Sequence, residues 1–443
     1  MHITLPDAGM SDVARFVHAA PLVDTHEHLH YEGFCTAQPP DVLVDLFSNY
    51  ITADLVVAGA SPEAVARLTD ASDRDLAARF AGVRDAWERC RFTGYGQAVH
   101  LIARHVYEME AITPEAIEAA QAQKAAQMRQ PGARLALLQQ AGLDHVQVDD
   151  FCWPCLPDAS GPEFFLYDLS WVDFCSGRPD FAALQREVNV EVTNLESLRA
   201  AMSGLFAKYG PCAIAVKSQH AYERTLRWEE RDEAEVARVL EKAVAGREVS
   251  AAEKLVLGDW CWARGVELAA EYNLPFKIHT GYYAGHSNMP VDRIPSGHLC
   301  PLLARYPKTR FVLMHIAYPY SEELIAVAKH YPNVWVDLCW AWSINPLAST
   351  DFVRRFIHAV PANKLLGFGG DSRWPAASVA YSLQARQGLT RALEAEVHEG
   401  HLTEAEALGL AERFLQTNQQ ECFDIEGTRQ AIREAMAAGS PTV

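Results

Sequence analysis

The chain lacks a run of apolar residues long enough to cross a bilayer, and it lacks internal repeats and low-complexity tracts. A spanning helix needs about 20 predominantly apolar residues, so no transmembrane segment is expected. The first residues, Met1-His-Ile-Thr-Leu-Pro6, carry no basic stretch followed by an apolar core, and no signal peptide is expected either. Positive charge is scarce: 39 Lys and Arg stand against 57 Asp and Glu, for a formal net charge of −18. Phosphate backbones require a basic footprint, so a nucleic-acid partner is excluded. The ten cysteines are scattered, several of them inside apolar runs where cysteine behaves as a small hydrophobe. Cys152-Trp-Pro-Cys155 has the spacing of a redox or zinc pair, yet no second pair and no thioredoxin-like context accompany it. A reduced, cytoplasmic setting is the simplest expectation.

What is present is size and a motif. At 443 residues, 49% apolar and 22% charged, the chain can bury a large core, as one barrel with insertions or as two ordinary domains. Near the N-terminus stands Pro21-Leu-Val-Asp-Thr-His-Glu-His28. Leu22-Val23 reads as the start of a buried strand, and in extended chain residues i and i+2 point to one face. His26 and His28 can therefore offer two imidazoles to one cation, preferentially zinc, with iron, manganese or nickel as alternatives.

A short helix over 11–19, capped by Ser11, precedes this strand. Residues 29–140 show helical patterning almost throughout, at 40–58, 62–69, 73–91, 95–109 and, behind the Thr113 cap, 114–129. So long a stretch is not a loop; it is expected to be a helical insertion roofing the end of the fold from which it leaves. The expected organisation is therefore 1–28 for the N-terminal helix and first strand, 29–140 for the insertion, and 141–443 for the rest. Beyond the insertion, short apolar strands at 145–149, 163–167, 212–217, 275–279, 311–315, 334–337 and 365–371 alternate with helices, and the tail over 376–436 is helical with breaks at Gly400 and Gly409. Eight strands with intervening helices predict an α/β fold, a (β/α)8 TIM barrel with a helical insertion after the first strand. A doubly wound open sheet is the alternative.

His26, His28, Lys217, His279, His315 and Asp371 each fall at the C-terminal end of a strand. In a barrel those ends converge on the face where active sites are built. Singly, each has an ordinary structural role open to it, such as a strand-end hydrogen bond or a helix cap. Together they compose a metal-ligand set.

In these residues the chain resembles the metal-dependent amidohydrolase superfamily of (β/α)8 barrels. The resemblance rests on Asp24-Thr-His-Glu-His28, Phe276-Lys-Ile-His279, Val312-Leu-Met-His315 and Gly370-Asp371. Ala215-Val-Lys-Ser218 and Ala221-Tyr-Glu-Arg224 look like the amidohydrolase-related branch that includes the domain linked to glutamine synthetases. In binuclear members the motif implies that His26, His28 and Asp371 hold one ion and His279 and His315 the other, with a carbamylated lysine at the position of Lys217 bridging them. The chemistry is consistent: a lysine beside two dications is favoured as the neutral amine that adds carbon dioxide. The ions would activate a water and polarise a carbonyl, with Asp371 moving the proton. One ion with an unmodified Lys217 is the alternative.

Among the branches, purine-type deaminases carry a His-Ala-Gly-Glu motif, where this chain has His279-Thr-Gly-Tyr-Tyr283. Mononuclear decarboxylases share the histidines and aspartate but not a bridging lysine. Uronate isomerases are the stronger rival, because Asp371-Ser-Arg373 looks like their Asp-Ser-Arg, in which the arginine contacts an acidic sugar. They lack the bridging lysine and the sixth-strand histidine. The sequence reading is thus a metal-dependent hydrolase of an amide, ester or lactone bond, with isomerase or lyase chemistry as the alternative and a degenerate binding barrel as a third class. Expected catalytic residues are Asp371, Lys217 and His279; expected substrate contacts are Arg373, Tyr222, Arg224 and Tyr282. His220, Tyr283 and His286 are further candidates lining the mouth, and Tyr318, Trp340, Trp342 and Trp374 also lie just beyond strand ends. The aromatics there can pack an apolar or planar part of a substrate or the helical roof, and the roof is expected for most of them. The partner is a small molecule; self-association is compatible with the fold, although no interface signal marks it.

Overall fold

Every residue of the strand Leu22–Glu27 is buried, and the same holds for Phe165–Ser170, Ala215–Ser218, Phe276–Ile278 and Phe311–Leu313. Strands covered on both faces are the mark of a parallel sheet wrapped by helices. The structure, a computed structural model, describes residues 9–283, 285 and 289–443. Its strands are β1 (Leu22–Glu27), β2 (Leu143–Val148), β3 (Phe165–Ser170), β4 (Ala215–Ser218), β5 (Phe276–Ile278), β6 (Phe311–Leu313), β7 (Val334–Asp337) and β8 (Leu365–Leu366). They form one eight-stranded sheet in the order β1 to β8. A doubly wound sheet reverses its strand order at a switch point; this one runs straight through, and the fold is the expected TIM barrel. The pairs β3–β4, β4–β5, β5–β6 and β6–β7 are parallel, with Ser170, Lys217 and Lys277 in register across three strands.

Nine α-helices lie between β1 and β2, from Glu32–Ala37 to Ala133–Gln140. Two of the expected long helices are each broken in two. The stretch 40–58 divides into Val42–Phe47 and Ile51–Val57 because Asn49 substitutes for helical bonds, its Nδ2 donating to the Leu46 carbonyl at 2.8 Å and its Oδ1 accepting from the Ile51 N–H at 3.0 Å. The stretch 73–91 divides into Leu76–Ala81 and Arg84–Cys90 around Gly82 and Val83. Buried ion pairs fasten the insertion together: Arg79 on Asp41 at 2.6 Å and Arg129 on Asp45 at 2.8 Å.

Three sequence expectations need correction. β8 covers two residues rather than 365–371: the Gly367 N–H donates to the Phe414 carbonyl at 2.8 Å, and the regular strand ends there although single backbone bonds to its neighbours continue. Gly409 does not break the tail; it lies inside the helix Glu404–Glu412, whereas Gly400, at φ +78°, does end the helix Pro375–His398. A helix over Phe181–Val188, capped by Asp180, was not anticipated.

By contacts the chain divides into two compact units. One comprises Met1–Val146, Leu338–His358 and Leu366–Thr417; the other comprises Gln147–Asp337, Ala359–Leu365 and Asn418–Val443. Inside the second, the Lys277 ammonium sits between both carboxylate oxygens of Asp168, each at 2.9 Å, with both side chains fully buried. Among the described residues, no helix is long and apolar enough to cross a membrane.

Candidate metal centre

In the first unit, β1 and the residues that follow it to His30 are stitched to the segment 368–373 by four backbone bonds. The N–H groups of Thr25, His28, Asp371 and His30 donate to the carbonyls of Phe368, Ser372, His26 and Arg373 at 3.1, 2.9, 2.8 and 3.3 Å. The alternation of β1 then presents His26 and His28 on one side, as expected, beside Asp371. The Nε2 atoms of the two histidines are 3.3 Å apart, and Asp371 Oδ1 stands 3.5 Å from His26 Nε2 and 3.3 Å from His28 Nε2. Ligands bound to a tetrahedral ion at about 2.0–2.1 Å are themselves separated by about 3.3 Å. The three atoms therefore already form the face that a divalent ion requires, and they belong to one group of metal-competent side chains. Two imidazoles and a carboxylate suit zinc, iron or manganese.

Beneath this face lie two acids that sequence reasoning passed over, although both stand in the motif itself. Burial pushes the Asp24 carboxyl up to about 7, against hydrogen bonds from the His26 and Gly370 N–H groups that favour its charged form. Burial, reinforced by the charge of Asp24, holds Glu27 well above its ordinary value. Glu27 accepts a bond from the Ser372 N–H and so anchors the turn that carries Asp371. Asp371 itself sits at φ +57°, a left-handed conformation that a non-glycine residue adopts at a cost.

The insertion reaches the same place. Tyr50 donates its hydroxyl proton to the Asp371 carbonyl at 2.5 Å, and its ring packs 4.4 Å from that of Trp340. No sequence signal marks Tyr50; packing alone brings it there. Arg373 is exposed. Trp374 packs against His30 and Phe34, with the Arg129 guanidinium 5.4 Å from its ring. Trp342 is buried and donates to the Gly367 carbonyl at 2.9 Å. Trp340, Trp342 and Trp374 thus serve packing, as the sequence predicts for most of these aromatics.

In the second unit, Lys217, His279 and His315 are buried at the carboxyl ends of the neighbouring strands β4, β5 and β6. His279 lies two residues beyond Lys277 and so shares its side of the strand. The rings of His279 and His315 are 4.4 Å apart. His279 Nε2 lies 3.0 Å from the Tyr282 carbonyl, so Tyr282 meets the histidine through its backbone. The Tyr222 ring packs 4.7 Å from His279 and 5.1 Å from Tyr283, whose hydroxyl donates to the Ala221 carbonyl at 2.8 Å.

Arg224 departs from its expected role as a substrate contact. Its guanidinium is buried, donating to Asp259 at 2.5 Å and to the carbonyls of Cys175, Thr225 and Arg227 at 3.0–3.1 Å. It braces the scaffold, because its partner Asp259, distant in sequence, neutralises it. His220 is likewise structural, its Nδ1 2.7 Å from the Ser218 hydroxyl. Burial, with the charges of Arg224 and Lys217, drives its pKa well below the usual histidine range. His286 lies outside the described residues. Burial and nearby aspartates push the Cys152 thiol up to about 11 and hold Cys155 well above its ordinary value, which disfavours the thiolate that redox or zinc chemistry would need.

The family model described as Amidohydrolase matches residues 200–413. Among curated proteins, the protein fluG of Emericella nidulans is 26% identical over 247 residues, which is 53% of this chain and 28% of that protein. The chain thus spans well under a third of that relative's length. Among solved structures, a uronate isomerase of Thermotoga maritima superposes with a TM-score of 0.76 at 15% identity, covering 94% of this chain and 98% of its own. A glucuronate isomerase of Caulobacter crescentus gives 0.77 at 16%, covering 96% and 98%. At such identities the likeness is one of fold. The matched segment, just under half of the chain, takes in the strands β4 to β8 and Asp371, and over that length the chain is similar to the amidohydrolase family.

Proposed function

We propose that the chain is a metal-dependent isomerase of a small carboxylate-bearing sugar acid of the uronate type, working at an ion held by His26, His28 and Asp371. The observation that carries this reading is the preformed triangle of ligand atoms, with edges of 3.3–3.5 Å, two residues before the exposed Arg373. A divalent ion bound there supplies a Lewis acid for the oxygens of a hydroxy-carbonyl substrate. Arg373 offers a planar guanidinium for the substrate carboxylate. Aldose–ketose interconversion moves a proton from C2 to C1 and the hydroxyl proton from O2 to O1 while the carbonyl passes from C1 to C2; it is redox-neutral and needs no co-substrate. Asp371 is the group placed to carry that proton. The likeness to two sugar-acid isomerases supports the reading, since coverage above nine-tenths of the chain takes in the helical insertion as well as the barrel.

A second reading, hydrolysis of an amide, ester or lactone, is favoured by Lys217, His279 and His315 at the ends of β4 to β6. Protein loaded with zinc or manganese separates the two. Isomerisation of glucuronate or galacturonate, followed by NMR, supports the first; turnover of lactones or N-acyl amino acids without it supports the second. Under the isomerase reading, Arg373→Met raises KM for the acid roughly tenfold or more, as expected on losing a charged hydrogen bond, and leaves the ion content unchanged. Under the hydrolase reading, Lys217→Ala costs one of two bound ions.

A further inference from the structure

Away from this centre, the first unit contains a second convergence of ligand-type side chains. His358 is the penultimate residue of the helix Pro346–Ala359, and Glu396 stands near the end of the helix Pro375–His398. His401 follows Gly400, whose positive φ turns the chain back so that the N–H groups of His401 and Leu402 both donate to the Glu396 carbonyl, at 2.9 and 3.2 Å. One carboxylate oxygen, Glu396 Oε2, faces both imidazoles: His358 Nε2 at 2.6 Å and His401 Nδ1 at 3.1 Å. The other, Oε1, accepts from Arg354 Nε at 2.5 Å, which orients the carboxylate as outer-sphere partners do in metal sites. Glu399 Oε2 lies 3.9 Å from His401 Nδ1 and also accepts from Arg354, at 2.6 Å. The histidine side chains are each 50% exposed and Glu396 only 1%, so the anion is fixed while the approach stays open. Burial alone would raise the Glu396 carboxyl, but its bonds from Arg354, His358 and His401 outweigh it and keep the group below its ordinary value.

We propose that His358, Glu396 and His401 form a second, outer site for a divalent transition ion, zinc foremost, with the fourth position taken by water or Glu399. Two imidazole nitrogens and a carboxylate oxygen are a zinc donor set, and all three atoms lie within 4.8 Å of one another. Reaching the separation of about 3.3 Å that tetrahedral ligands need requires the 2.6 Å contact to open by well under an ångström and the two imidazole nitrogens, within 4.8 Å of each other, to close by at most about 1.5 Å. Exposed imidazoles can make that adjustment by small rotations. Binding displaces the ring protons now shared with Glu396 and joins the end of one helix to the turn that closes another. The site is independent of the reaction at His26, His28 and Asp371.

The test uses full-length protein, stripped by chelator and dialysed against Zn2+, with zinc counted by elemental analysis. His358→Ala/His401→Ala is expected to hold about one equivalent less than the parent, whereas His26→Ala/His28→Ala keeps the outer ion. Titrating Co2+ into the latter variant should then give the visible absorption of a four-coordinate nitrogen–oxygen site. Glu396→Gln preserves the shape of the side chain, guards against a folding failure of the double variant, and should weaken zinc binding at least tenfold. Equal zinc content in the parent and His358→Ala/His401→Ala, or no visible band with Co2+, overturns the proposal and leaves a hydrogen-bonded helix terminus only.

Discussion

Gly370 leaves no room for any other side chain. A Cβ there would lie 1.9 Å from Glu27 Oε1, the carboxylate that anchors the turn before Asp371. Gly370→Ala is therefore expected to displace Glu27 or the turn, at a cost of about 1–3 kcal/mol for overpacking. Elemental analysis should find less bound metal than in the parent, and the melting temperature should fall. Tyr50→Phe is a milder change. It removes the bond to the Asp371 carbonyl, costs about 1 kcal/mol, and should leave the ion count intact in the same measurement. The contrast between these residues shows what could be read in advance. His26, His28 and Asp371 were legible because each stands near or beyond the carboxyl end of an apolar strand, and that end of a barrel has a known destination. Tyr50 precedes a helix whose direction only packing decides. Arg224 was legible as a charge near a strand end, but its neutralisation by Asp259 depends on a contact that no local pattern announces.

Among the elements, the strands were the most legible, since short buried apolar runs between helices admit few other readings. Their ends were less so. The last strand stops after two residues because backbone pairing with Phe414 competes for Gly367, and such competition lies outside the local sequence. The insertion's helices followed their periodicity but not its breaks, where Asn49 hydrogen-bonds to the backbone in place of the helix. Inside the wall formed by β3 to β5, the Asp168–Lys277 pair carries a prediction of its own. Lys277→Met leaves a buried carboxylate without its counterion and should destabilise the protein by about 3–5 kcal/mol in urea titration. Replacing both, as Asp168→Leu with Lys277→Met, should restore most of that loss, because well-packed apolar residues substitute for buried ion pairs at little net cost.

At the scale of the whole molecule, pH tests how each of the two units holds a histidine kept neutral, half-buried His18 and buried His220. Burial and the charge of Arg386 lower His18, in the first unit, to about 4, and His220, in the second, lies well below its ordinary value. Each stays neutral when folded but takes a proton when unfolded below pH about 6.5. The contribution of each to stability is complete above that pH; that of His18 shrinks as the pH falls towards about 4, and that of His220 shrinks in the same direction. His18→Gln should accordingly match the parent's pH trend near neutrality and lose less stability than the parent at pH about 5, read as urea midpoints. The first unit has a further property. Its parts come from three separate stretches of chain, and the contact between Glu27 and Ser372 closes an interval of 345 residues. During synthesis the two histidines emerge early and wait for almost the entire barrel before Asp371 reaches them. Until then the nascent chain carries only two of the three candidate ligands, so on the proposed reading an ion is captured among the last events of folding, once the ring of strands has closed.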